Sequence, residues 1–332
     1  MRIGDNPQRD KKVDLGNYFH QVIVPVYIPH LDIYYKDSFE VFKISILSLI
    51  KTSHSKTFIS VISNGSCDAV NDYISGLYLQ NKIHEFTITK AIGKLNSILK
   101  GLSGNTLPLV TITDADVLFL NNWQKATYDV FEHFPKAGVV GPVPTPFTSF
   151  YGTANIFRLN LLKKNIKYSK IKNFDGLIKF AESIGNFSIQ ENTFSYKNLT
   201  ISNEKFRAVL GCGHFVATYK SQIFDFGFQR STEYLLGGDS EHLLLDSKGI
   251  QLDLWNLSTE DNYAHHLGNT VTEWVPDVFN ALFEEKGDFE VPKNIDVINL
   301  SYFKNQYVKA TNKLFGSFKF RNLIIKRILK SD

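Results

Sequence analysis

The chain has 332 residues, 43% of them apolar and 21% charged, which is enough to bury a sizeable core and excludes a peptide-scale or fibrous protein. Its 37 Lys and Arg against 33 Asp and Glu give a net charge of +4, yet eight of the basic residues lie from Ser301 onward against Asp332 alone. The rest of the chain is therefore slightly acidic and lacks the distributed basic footprint of a nucleic-acid binder, and two distant cysteines, Cys67 and Cys212, exclude a disulfide framework or a zinc module and point to a reducing cytosol.

Residues 1–17 are polar and read as a loose lead-in, without the apolar stretch of an export signal. The run HQVIVPVYI at 20–28 is rich in β-branched residues, too short to span a bilayer and suited to a strand buried on both faces. Phe39, Phe42, Ile46, Leu49 and Ile50 recur at helical spacing, and 57–63 (TFISVIS) is a second apolar strand. Residues 68–80 read as a second helix, 83–89 as a third strand, 92–102 as a third helix and 107–113 (LPLVTIT) as a fourth strand. Strand and helix alternating at this pitch predict an α/β fold with a mainly parallel sheet flanked by helices. The pattern then loosens. A short strand at 139–143 precedes a Pro-rich turn, the Lys/Asn-rich stretch 160–208 predicts a helical or irregular insertion, and 209–219 resumes as a Gly-punctuated strand.

Ligands of such sheets bind at the carboxyl ends of the strands, which directs attention to three loops. Asn64-Gly65-Ser66 follows the second strand, Gly93-Lys94 the third and Asp114-Ala115-Asp116 the fourth. Two carboxylates on alternate positions of a turning chain supply the oxygen ligands that hold Mg²⁺ or Mn²⁺ together with a diphosphate; without such a ligand they are a solvated turn. Asn64-Gly65 is open to two readings, a plain turn or a nucleotide contact.

The order of these motifs resembles the GT-A glycosyltransferases, in particular the inverting family 2. The first strand of those enzymes reads like VIIPVY, here Val22-Ile23-Val24-Pro25-Val26-Tyr27. The second ends in DDGSxD, here Ser63-Asn64-Gly65-Ser66-Cys67-Asp68. An NxGKxxAxxxG element is matched in part by Gly93-Lys94-Leu95-Asn96 and Gly101, and the DAD element by Asp114-Ala115-Asp116. Later, Gly237-Gly238-Asp239-Ser240-Glu241-His242 resembles the family's GEDxEL element, with Gly238 where the family has Glu.

The resemblance implies a Rossmann-like fold in which 18–120 form the nucleotide-sugar-binding half and 121–300, with the insertion, the acceptor and catalytic half. The donor, a nucleotide-diphosphate sugar, would lie against Pro25, Val26, Tyr27, Ser63, Asn64 and Lys94, with Asp114 at the ribose or the ion and Asp116 on a Mn²⁺ or Mg²⁺ ion. Asp239 would be the catalytic base; a helix cap is the structural alternative. Lys94 is either a phosphate contact or a solvated lysine at a helix start. Ser63 and Asn64 replace the acids that meet a uracil edge in the family, so the base is left open. The family's late histidine ligand falls on His265, with His266 beside it. The implied reaction moves a sugar to a hydroxyl acceptor with inversion, the acceptor being a glycan or lipid-linked glycan of surface-polysaccharide assembly, in the cytoplasm at the inner face of the membrane. A sugar-nucleotide pyrophosphorylase is the competing enzyme class, but it needs a Gly-rich, basic loop after the first strand, where this chain has Val26-Tyr27-Ile28-Pro29-His30. A non-catalytic sugar-nucleotide-binding protein is the third reading. Residues 301–332 interleave basic and apolar side chains, which suits either a helix on an anionic membrane or a last helix packed on the domain.

Overall fold

A computed structural model describes residues 4–6, 9–12, 16–160, 163–186, 197–225, 231–236, 241, 245, 247–287, 289–293, 295–296 and 302–317, with 320, 323, 325 and 328 singly. The first half runs β1 (His20–Val26), α1 (Ser38–Thr52), β2 (Thr57–Asn64), α2 (Asp68–Leu79), β3 (Glu85–Thr89), α3 (Lys94–Leu102) and β4 (Leu109–Thr113). Then follow β5 (Val117–Phe119), α4 (Trp123–His133), β6 (Ala137–Gly141), α5 (Ala154–Asn160), β7 (Ile166–Lys170), α6 (Phe174–Ser183), β8 (Lys197–Ser202), β9 (Arg207–Leu210) and β10 (Val216–Lys220). The chain continues through α7 (Ser247–Gln251), β11 (Trp255–Ser258), β12 (Ala264–His266), α8 (Val275–Ala281) and α9 (Tyr302–Phe315).

A ten-stranded sheet has the order β3-β2-β1-β4-β10-β6-β11-β9-β8-β7. It is parallel from β3 to β4 and again between β6 and β11, with β10 running antiparallel between these two blocks. Every residue of β1 is buried, because Val22, Val24 and Val26 pack under α1 and α2 while Ile23 packs on the α3 side with Leu95 and Ile98. Two-sided burial is why this strand reads as an apolar run from Val22 onward.

The Lys/Asn-rich stretch is more regular than its composition predicts. It supplies β7 and β8, which extend the sheet antiparallel at its far edge, and between them α6, which packs on β12. The edge strand β7 exposes Lys167 and Lys170, and β8 buries Asn198 and Thr200 among its apolar residues, so their hydrophobic signal is weak. The strand expected at 209–219 is two strands, because Gly211 takes φ +88 and its α-carbon lies against the Thr148 carbonyl, where a side chain would collide.

In the C-terminal part, α9 packs on α5 and α7 with Val308 fully buried, and Arg158 sits 5.5 Å from the Tyr307 ring. Lys304, Lys309 and Lys313 are exposed. Among the described residues no helix is long and apolar enough to cross a membrane.

Candidate active site

The carboxyl ends of β1, β2 and β4 open on one cleft of about 510 Å³. Pro25, Val26 and Tyr27 line one wall. A proline is tolerated in this central strand because the β1–β4 ladder stops at Ile23. The Ser63 hydroxyl donates to Asn71 Oδ1 at 2.6 Å, and Asn64 Oδ1 accepts from the Ile92 and Gly93 amides at 2.8 and 3.2 Å. Ser63 thus ties the end of β2 to α2, while Asn64 holds the loop before α3 through its oxygen and also lines the cleft.

Asp114, Ala115 and Asp116 form the floor. The Asp114 amide donates to the Phe215 carbonyl at 2.7 Å, which carries the β4–β10 pairing one residue further before the chain passes to β5. β5 pairs antiparallel with β12, setting His266 opposite Val117 and His265 opposite Leu118. Side chains alternate along a strand, so the histidines face opposite sides. His266 faces the cleft, its Nε2 3.4 Å from Asp116 Oδ2. His265 is buried behind the ribbon, edge-on to Trp274 with ring centres 5.0 Å apart and beside Asn262; burial, with Lys179 nearby, pushes it down to about 4. The late histidine that the structure brings to the carboxylates is therefore His266, and His265 stands apart from them.

Ligand atoms of Asp114, Asp116 and His266 lie within 4.8 Å of one another. The Ser183 hydroxyl donates to the Phe180 carbonyl at 2.7 Å and so accepts the His266 Nδ1–H at 2.9 Å, leaving the Nε2 lone pair toward Asp116. Asp116 Oδ1 is buried without a hydrogen-bond partner among the described residues. Burial pushes the Asp116 carboxyl up to about 6; Asp114 adds to the rise, while Lys94 opposes it. Two carboxylates and an imidazole with an unmet oxygen form a donor set that fits Mn²⁺ or Mg²⁺.

Lys94 does not stand free in solvent. Its Nζ lies 2.5 Å from Asp114 and 2.7 Å from Glu241. Burial alone would lower the Lys94 ammonium, but the two carboxylates outweigh it and hold it above its ordinary range. Burial likewise raises Glu241, and Lys94 with His214, 3.4 Å away, more than reverses this. An ammonium between two carboxylates ties Glu241 to Asp114 at the end of β4. Asp239, with 237–240, lies outside the described residues.

Two contributors are not singled out by the motifs. Ser183 comes from α6, inside the insertion, and no local pattern marks it. Glu241 sits within the acidic motif, where its spacing from Asp239 is the available signal.

No protein-family model matches the sequence, and no curated protein matches it. Among solved structures the chain is similar to residues 1–349 of S. aureus TarS, at 13% identity and a TM-score of 0.41, over 74% of this chain and 59% of that one. It is also similar to the mannosyltransferase PcManGT from Pyrobaculum calidifontis in complex with GDP-Man and Mn²⁺, at 15% identity and a TM-score of 0.40, over 76% and 59%. A third match is S. aureus TarS 1–349 in complex with UDP, at 13% identity and a TM-score of 0.41, over 78% and 62%. The chain thus spans about three fifths of the length of these structures. The chemistry of the site rests on its own geometry.

Proposed function

We propose that this chain is a glycosyltransferase of GT-A type that moves a sugar from a nucleotide-diphosphate donor to a hydroxyl acceptor with inversion. The observation that carries the reading is the convergence of Asp114, Asp116 and His266 on the floor of a cleft at the carboxyl edge of a parallel sheet. Asp114, Asp116 and His266 would hold Mn²⁺ or Mg²⁺, which when bound supplies Lewis-acid neutralisation of charge on the departing nucleotide. Pro25, Val26, Tyr27 and Asn64 wall the place for the nucleotide, and Lys94 keeps a positive charge against Asp114. Asp239 takes the acceptor proton in this reading, with Glu241 two residues on already bound to Lys94. The acceptor is a glycan or lipid-linked glycan, and contact of the basic tail with an anionic cytoplasmic membrane surface belongs to the same proposal.

The test is a screen of nucleotide sugars for Mn²⁺-dependent turnover, with wild type against Asp116→Ala. Loss of the carboxylate should cost roughly two decades in rate or more. Full turnover in excess EDTA, or by Asp116→Ala, would overturn the reading.

A further inference from the structure

Helix α3 starts at Lys94 because Gly93 stands at φ +94, and a Cβ on Gly93 would lie 2.7 Å from the Tyr234 carbonyl oxygen. That close approach is one of a set. Asn96, in the first turn of α3, makes a reciprocal pair with the main chain of Thr232: its Nδ2 donates to the Thr232 carbonyl at 2.9 Å, and its Oδ1 accepts the Thr232 amide at 2.9 Å. The same Nδ2 donates to the Ile92 carbonyl at 2.7 Å. The Lys94 amide donates to the Leu235 carbonyl at 3.0 Å.

A side-chain amide that both gives to and takes from one residue's backbone acts like a rung of a sheet, and it fixes the orientation of the partner chain as well as its distance. The 231–236 segment is therefore laid across the start of α3 by its main chain. Leu235 and Leu236 then line the cleft, 61% and 73% exposed, and five residues beyond Leu236 the Glu241 carboxylate meets Lys94. Helix α3 thus touches the later residues at three places, Thr232 through the Asn96 side chain, Leu235 through the Lys94 amide and Glu241 through the Lys94 ammonium.

We propose that Asn96 is a positioning residue: it clasps 231–236 onto α3 and so sets where Glu241 meets the Lys94–Asp114 pair. Its consequence for turnover rests on the transferase reading; the clasp itself does not. Small displacements of acceptor-side groups are costly in a group transfer, because reacting atoms must be held near contact.

The test uses the full chain with Asn96→Ala and Asn96→Asp. Amide hydrogen exchange in 231–236 should rise about tenfold in Asn96→Ala, because several local hydrogen bonds are removed, while β1 and β2 keep their protection. Asn96→Asp should show a smaller rise, since its carboxylate still accepts the Thr232 amide but cannot donate. The thermal midpoint should move by no more than about 3 °C. Binding of UDP and GDP with Mn²⁺ should stay within about twofold, while kcat on UDP-glucose or GDP-mannose falls about tenfold or more at unchanged KM. Unchanged exchange in Asn96→Ala would overturn the clasp, and raised exchange at wild-type turnover would overturn its positioning role. A wild type inactive on both sugar nucleotides would count against the transferase reading, with the clasp decided by exchange alone.

Discussion

His265 and His266 are adjacent and chemically identical, yet only His266 shares a site with Asp114 and Asp116. The difference lies in the register of a three-residue pairing, since a slip of one residue in β12 would exchange the two. His266→Ala should weaken Mn²⁺ binding by roughly tenfold or more, and Ser183→Ala, by releasing the ring that it orients, by roughly 10- to 100-fold. His265→Gln should leave Mn²⁺ affinity intact and lower the thermal midpoint instead, because it loses the contact with Trp274. Paramagnetic titration of Mn²⁺ with the three variants separates these outcomes, and equal losses from both histidines would contradict the assignment. Asp239→Asn keeps size but removes basicity, so transfer should fall by roughly 10²-fold while nucleotide binding survives. If Glu241→Gln has that effect instead, the base is Glu241.

At the scale of elements, α9 answers part of the question that the tail's composition leaves open. Its Val308 is buried against the domain, while Lys304, Lys309 and Lys313 face outward. Val308→Asp should therefore destabilise the whole protein by about 2 kcal/mol or more, seen as a lower urea midpoint. The outward lysines carry a separate prediction. Each basic residue near an anionic leaflet contributes about 1 kcal/mol, so the chain should co-sediment with phosphatidylglycerol vesicles at low salt and be released as salt rises. Replacing the three lysines by Glu should abolish this without moving the thermal midpoint, and equal binding to neutral vesicles would show that charge is not the cause.

The whole molecule carries a pH dependence in its buried histidines. His20 is fully buried between the Tyr128 hydroxyl and Thr111, and burial, with His54 nearby, holds it well below its ordinary range. Burial, with Lys56 nearby, pushes His54 down to about 4, and His265 is held as low. All three are neutral in the folded protein, whereas the unfolded chain takes up their protons near pH 6.5. Their contribution is complete above that pH and is lost as pH falls toward 4, each histidine adding a slope of up to about 1.4 kcal/mol per pH unit. The urea midpoint should be level from pH 8 to 7 and fall clearly by pH 5.5, with a smaller fall in His54→Gln. A level profile down to pH 5.5 would contradict neutral burial.

The order of elements through β4, the strand-end loops and the acidic pair Asp114 and Asp116 were legible in the chain because each is written locally. Strands buried on both faces are continuous apolar runs, and the polar residues that follow them stand out against that background. The side taken by His266, the Ser183 hydroxyl behind it and the Asn96 clasp were not legible, because each depends on a partner far along the chain. His266 takes its side from pairing with Val117, its ring orientation from Ser183, 83 positions earlier, and Asn96 meets Thr232 across 136 positions. Local pattern records which residues must be buried or turned, and so by itself it determined the strands through β4 and the two carboxylates that follow them. Only tertiary structure decided which histidine joins them and what lays 231–236 on α3, because register and loop docking are contacts between segments that carry no mark of one another in sequence.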